Sequence, residues 1–240
     1  MTENDNLVIQ SSDADPRAER LLDAAAALLV RLGSRRVTID DVAREAGVGK
    51  GTVYLHFRTK EALFVTVLLR ENRSVLAGTI ERMRADPAEV MPARLMSSVY
   101  RHLARNPVTR SLYLGQIEMF GKLAQEALST LGDFIARRDA VLAEHLRLLS
   151  DAGLLRPGLD ARTRHYLLSS VGTGFFLLDP ATLTSAPADP DERADLLGYA
   201  IHSVLEVPEP APTRDVADAV VAQYEPLIDH LDAEWRRRAL

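Results

Sequence analysis

Apolar residues recur every three to four positions through almost all of this 240-residue chain, and no segment sustains alternation at every second position. A period of 3.6 buries one stripe of an α-helix, whereas a period of two would bury one face of a strand. The chain is therefore expected to be all-α. From Ala18 the stripe runs Leu21, Leu22, Ala25, Leu28, Leu29 and Leu32. Asp15 is placed to cap this first helix, Pro16 to open it and Gly33 to end it. A shorter helix is expected from Thr38, where "TIDD" resembles a capping box with Asp41 as the reciprocal acid. Its buried stripe is Ile39, Val42, Ala43 and Ala46, and Gly47 stops it. A third short helix carries Val53 and Phe57, four apart, on its inner face. A fourth runs from about Thr59 to Arg84, with Leu63, Val67 and Leu68 inward. Beyond Asp86-Pro87 the breaks predict helices at about 91–105, 107–118, 121–151, 160–178, 191–206 and 213–238.

The stretch "GVGKGTVYLHF", Gly47 to Phe57, raises the possibility of a phosphate-cradling loop. It fails the tests for one. A Walker A loop needs G-x-x-x-x-G-K-[ST], but Gly49-Lys50 is followed by Gly51, and Arg44 stands five places before Gly49. A dinucleotide fingerprint would need glycine where Thr52 stands. Both motifs also follow a strand, and "TIDDVAREA" is helical by period and by cap. Two short helices around a tight glycine turn instead match a helix-turn-helix.

Charge agrees with a nucleic-acid partner for this part of the chain. The whole carries a net charge of −5, yet residues 17–60 hold nine lysines and arginines against five acids. That leaves a basic module on an acidic body. There is no cysteine, hence no disulfide framework and no thiolate nucleophile. The polar, acidic start "MTENDNLVIQSSDADP" lacks the pattern of a secretion signal, and no window approaches a membrane span. The expectation is a cytoplasmic protein with a loose tail over 1–16.

The segment from Arg17 to Phe64, with "VTIDDVAREAGV", "GKGTVYLHF" and "TKEAL", resembles the N-terminal domain of the tetracycline-repressor (TetR) family. The resemblance covers about the first quarter of the chain. It implies a helix-turn-helix domain at 17–64 (the motif itself at about 38–57) joined by a long helix to a ligand-binding and dimerisation bundle at 65–240. It further implies a homodimeric bacterial regulator, usually a repressor, that binds a palindromic double-stranded operator and answers to a small-molecule effector. An activator, or a regulator without a ligand, is the alternative.

The family pattern, matched position by position, places Thr38, Lys50, Gly51, Thr52, Tyr54, His56 and Lys60 at the DNA. Helical geometry agrees for Tyr54 and His56, which lie off the Val53/Phe57 face. Gly51 would let backbone come close, and Lys60 would hold a flanking phosphate. In the body, Tyr100, Tyr113, Gln116, Glu118, Phe120, Phe134 and Phe175 are the candidate lining of a largely apolar effector pocket between helices. For a dimer interface the candidates are Tyr166, Ser169, Ser170, Gly172, Thr173 and Phe176, since small residues allow close helix approach. The last helix is expected either to pack on its own body or to reach a partner. A helical enzyme is the remote alternative: the sequence has no H-E-x-x-H, no G-x-S-x-G and no cysteine nucleophile. Glu144 and His145 are adjacent and point about 100° apart on a helix, a poor metal pair. No cofactor and no metal are expected.

Overall fold

The computed structural model describes residues 16–114, 124–178 and 183–238. Within them the chain is built of helices joined by short turns and loops. The elements are α1 (Pro16–Leu32), α2 (Ile39–Glu45), α3 (Lys50–His56), α4 (Lys60–Ala85), a 3-10 turn (Pro87–Val90), α5 (Pro92–Arg105), α6 (Pro107–Leu114), α7 (Ala124–Asp151), α8 (Ala161–Leu177), α9 (Pro190–Leu205) and α10 (Arg214–Arg238). An isolated antiparallel bridge joins Leu155 and Glu206.

Local sequence explains the head. α1 buries Leu21, Leu22, Ala25, Leu28 and Leu29, while Leu32, the last apolar position of the stripe, is exposed. Gly33 and Gly47 adopt φ of +75° and +68°, conformations that L-residues with a Cβ resist, and they end α1 and α2. The capping box forms as the residue types require. Thr38 Oγ1 accepts from the Asp41 amide at 3.2 Å, and Asp41 Oδ2 accepts from the Thr38 amide at 3.0 Å. Val53 and Phe57 close the head core beneath α3.

α4 belongs to both halves. Its first turns bury Leu63, Phe64, Val67 and Leu68. Further along it buries Val75, Leu76, Ile80 and Met83. A helix enclosed on most sides reads as a nearly continuous apolar run, which is why the inward set is larger than the three positions expected. The 64/65 boundary drawn from sequence falls inside this helix.

The body packs α5 tightly on α9. A Cβ at Gly198 would stand 2.5 Å from Ser97 Oγ, and that hydroxyl donates to the Ala194 carbonyl at 2.8 Å. Buried Glu206 accepts from the Ala93 amide at 2.7 Å, putting a carboxylate at the start of α5 where the helix dipole favours one. α10, whose placement the sequence left open, packs on its own body along α4 and α7. Arg73 of α4 grips Asp232 with two hydrogen bonds, 2.6 and 3.2 Å, and Arg84 pairs with Glu225. His145 of α7 is wholly buried. Its Nε2 lies 2.7 Å from the Val90 carbonyl and its Nδ1 2.8 Å from the Tyr224 hydroxyl.

Candidate nucleic-acid interface

α3 stands on the head as a seven-residue helix, about 10 Å long by its rise. Val53 fixes which way it faces. On a helix each residue turns about 100°, so the side opposite Val53 carries Gly51 and Leu55, with Tyr54 about 100° round. All three are exposed, Tyr54 at 46% and Leu55 at 72%. Thr52 and His56 lie at the flank, half-buried, and the His56 ring sits 6.4 Å from that of Phe57. Gly49 is the N-cap in an extended conformation, and its carbonyl receives the Thr52 amide at 2.9 Å.

Charge around α3 is partly engaged within the head. Lys50 donates to Asp40 of α2 at 2.8 Å, and this hydrogen bond and the Asp40 charge raise the Lys50 pKa. Both side chains are more than half exposed, so the pair is weak and readily exchanged for another anion. Thr38 spends its hydroxyl on Asp41 at 2.7 Å, and its hydroxyl and amide hydrogen bonds hold the Asp41 carboxyl below the usual range. Arg44 also pairs with Asp41. Lys60 differs most from the expectation of an outward phosphate holder. Its ammonium donates to the carbonyls of Ser34 at 3.2 Å and Val37 at 3.1 Å and lies 5.7 Å from the Phe64 ring centre. It ties the α1–α2 turn to α4.

Sequence reasoning missed two members of this surface. Leu55 was legible in principle, because two positions on from Val53 is about 200° around the helix. Asp40 was not, since its pairing with Lys50 exists only once α2 and α3 are packed.

The body candidates are scattered. Tyr100 is buried, its hydroxyl accepts from Arg193 Nε at 3.0 Å, and its ring lies 5.6 Å from Phe176. Phe134 is buried on α7, Phe175 is half-buried on α8, and Tyr113 lies on α6. Gln116, Glu118 and Phe120 lie outside the described residues. A groove of about 350 Å³ opens between the start of α5 and the end of α9, lined by Met91, Ala93, Gly198, Tyr199, His202 and Glu206. None of the candidate pocket residues borders it. On α8 the structure separates the dimer candidates. Tyr166, Ser169, Ser170 and Thr173 face outward, Tyr166 at 71% exposure. Gly172 and Phe176 turn inward within the chain: Gly172 packs under Met96, and Phe176 against Tyr100. Exposed Leu177 continues the outward stripe, and Leu196 and Tyr199 of α9 form a second.

Between head and body runs a chain of polar contacts. Thr109 of α6 donates to Glu71 Oε2 at 2.6 Å, and Glu71 pairs with Arg70 at 3.2 Å. Arg70 in turn holds Glu19 at 3.2 Å and Asp23 at 2.7 Å on α1. Among the described residues no group of three or more acids and histidines could hold a metal, and no helix is long and apolar enough to cross a membrane.

Comparison with known proteins agrees with this geometry. The family model described as "Bacterial regulatory proteins, tetR family" matches residues 21–67. The "Fatty acid metabolism regulator protein" of Bacillus subtilis (strain 168) is 25% identical over 200 residues, 80% of this chain and 93% of that protein. The "HTH-type transcriptional activator FasR" of Mycolicibacterium smegmatis is 28% identical over 64% of this chain and 73% of that protein. Among solved structures, native NalD of Pseudomonas aeruginosa superposes with a TM-score of 0.64 at 22% identity, over 82% of this chain and 100% of that one. KstR2 of Mycobacterium tuberculosis does so at 0.59 and 20% identity, over 81% and 97%. These relatives are regulators of transcription, not enzymes. With a head whose residues 21–67 match the tetR family model and a helical body behind it, the chain is similar to the tetR family of bacterial regulatory proteins.

Proposed function

We propose that this chain is a homodimeric repressor that binds a palindromic operator and is released by a small, largely apolar ligand. Residues 17–64 serve as the DNA-binding module and 65–240 as the effector and dimer domain. The observation that carries the reading is the outward face of α3, with Tyr54 and Gly51 away from the head core and Lys50 at its start. A helix-turn-helix inserts its second helix into the major groove, and the second copy reads the other half-site. Lys50 exchanges Asp40 for DNA, Thr52 and Tyr54 contact the groove, and His56 and Thr38 flank them. Lys60 contributes by holding the α1–α2 turn in place.

The outward stripes of α8 and α9 support a two-fold interface built from Tyr166, Ser169, Ser170 and Thr173 with Leu196 and Tyr199. The effector is assigned to the helical body, where Tyr100, Phe134 and Phe175 are the candidates among the described residues. A fatty acid metabolism regulator and a ketosteroid transcriptional regulator among the similar proteins agree with an apolar ligand. The contacts Thr109–Glu71–Arg70–Asp23 supply a path from body to α1 whose two arrangements a ligand would bias. NalD, described as a secondary repressor of a multidrug efflux pump, favours repression.

The test is selection from a pool of random duplexes by the purified protein, followed by sequencing. An enriched inverted repeat is expected. The absence of any enrichment at low salt would overturn the reading. A promoter bearing the enriched sequence should then fall in output when the protein is present, and a rise would make it an activator, as FasR is described.

A further inference from the structure

An isolated exposed leucine is ordinary on a protein surface. Leu55 is not isolated in this sense. It projects from the side of α3 opposite the buried Val53, with exposed Tyr54 next to it and exposed Arg58 three residues on. One turn before it, on the same line of the helix, is Gly51. Nothing in the fold asks for glycine there: its φ is not left-handed, and a Cβ would meet no atom within 4 Å. A helical glycine costs roughly 1 kcal/mol relative to alanine. The constraint that keeps position 51 bare therefore comes from outside the chain. Gly51 and Leu55 together make a strip of bare backbone followed by a branched apolar tip, beside the basic Lys50 and Arg58.

Resting on the DNA-reading role of α3 given above, we propose that Leu55 is a specificity residue that reads the C5-methyl group of a thymine in each half-site. A helix about 10–12 Å across fits a major groove about 12 Å wide, and α3 rises only about 10 Å, so Leu55 lies about 6 Å along the axis from Gly51 on the same exposed side. Leucine offers no hydrogen bond, so the adenine, guanine and cytosine edges give it nothing, whereas the thymine methyl is the apolar feature of that groove. The bare backbone at Gly51 lets the helix sit deep enough for the two apolar groups to meet.

The experiment uses the full chain and the duplex enriched from a random pool, synthesised with thymidine or with deoxyuridine. The exchange removes only the methyl group and leaves the pairing edges intact. Burying one methyl corresponds to about a fourfold change in affinity, hence about fifteenfold when both half-sites of a dimer are affected. Wild type is expected to lose about that much on deoxyuridine, and a duplex substituted one thymine at a time should localise the loss to one symmetric pair. L55A, at a solvent-exposed site, should fold normally and bind both duplexes equally. Wild-type binding that ignores the methyl groups, or L55A binding that still depends on them, would overturn the assignment while leaving the DNA reading intact. Failure of wild type to bind any duplex would overturn both.

Discussion

Lowering the pH should unfasten the body at one residue, His145. This imidazole is fully buried, and burial pushes its pKa down to about 4 against the pull of the Val90 carbonyl. The carbonyl can only accept, so Nε2 carries the proton and Nδ1 accepts from the Tyr224 hydroxyl. In the unfolded chain the same ring titrates near 6.5. Between about pH 6.5 and 4 the unfolded chain binds more protons than the folded one. Stability is therefore full above about 6.5, is lost as the pH falls through this window, and stops falling below about 4. A gap of about 2.5 units corresponds to about 3.4 kcal/mol in all, of which about 2 kcal/mol is gone by pH 5. The assay is urea unfolding at pH 8 and pH 5, at one fixed protein concentration because the stability of any oligomer depends on it. Wild type and His145→Gln are compared, so that other groups cancel. The variant is expected to be less stable at pH 8, having lost a well-fitted pair of buried hydrogen bonds, but its loss between pH 8 and 5 should be smaller by about 2 kcal/mol. Parallel losses in the two proteins would refute the argument.

Three further outcomes follow from the geometry. Tyr54→Ala should weaken operator binding while leaving the melting temperature and the dimer nearly unchanged, as electrophoretic shift and light scattering would show; an early melt would make Tyr54 a packing residue. Gly51→Ala and Gly47→Ala should diverge in thermal melts: the first gains up to about 1 kcal/mol of helix propensity yet binds DNA less well, while the second loses about 1 kcal/mol or more because its φ is +68°. Gly198→Ala, whose Cβ would displace Ser97 from the Ala194 carbonyl, should cost about 1–3 kcal/mol in chemical unfolding, and a neutral result would mean that α5 and α9 separate freely.

What could be seen in the sequence was what is decided locally. The Thr38–Asp41 box, the stops at Gly33 and Gly47 and the Val53/Phe57 inner face each depend on residues within a turn or two of one another, and the residue types suffice. What was hidden depends on packing between distant segments. Lys60 reads as an outward cation at a helix start, but the carbonyls of Ser34 and Val37 arrive from the α1–α2 turn and engage it. On α8 the sequence "HYLLSSVGTGFFLL" is apolar or small all round, so period alone gives a helix without telling its sides apart. Only the neighbours Met96 and Tyr100 decide that Gly172 and Phe176 face in while Tyr166 and Thr173 face out. Glu71 and Asn72, buried polar residues in α4, likewise contradict an apolar stripe until Thr109, Arg70 and the Leu68 carbonyl are seen to satisfy them.

The hold of α10 on α4 changes the leverage between ligand and DNA. α4 is 26 residues long, about 39 Å, and a rigid rod pivoting at its Ala85 end by about 5° would swing its Lys60 end by about 3.4 Å. Arg73, gripped by Asp232, lies thirteen residues from Lys60, about 20 Å along the axis. With that point held, the same tilt moves the head end by only about 1.7 Å. The arm that swings the head is halved, and a chain with α10 in place must achieve a given displacement of α3 by a larger rotation or by breaking the Arg73–Asp232 fork.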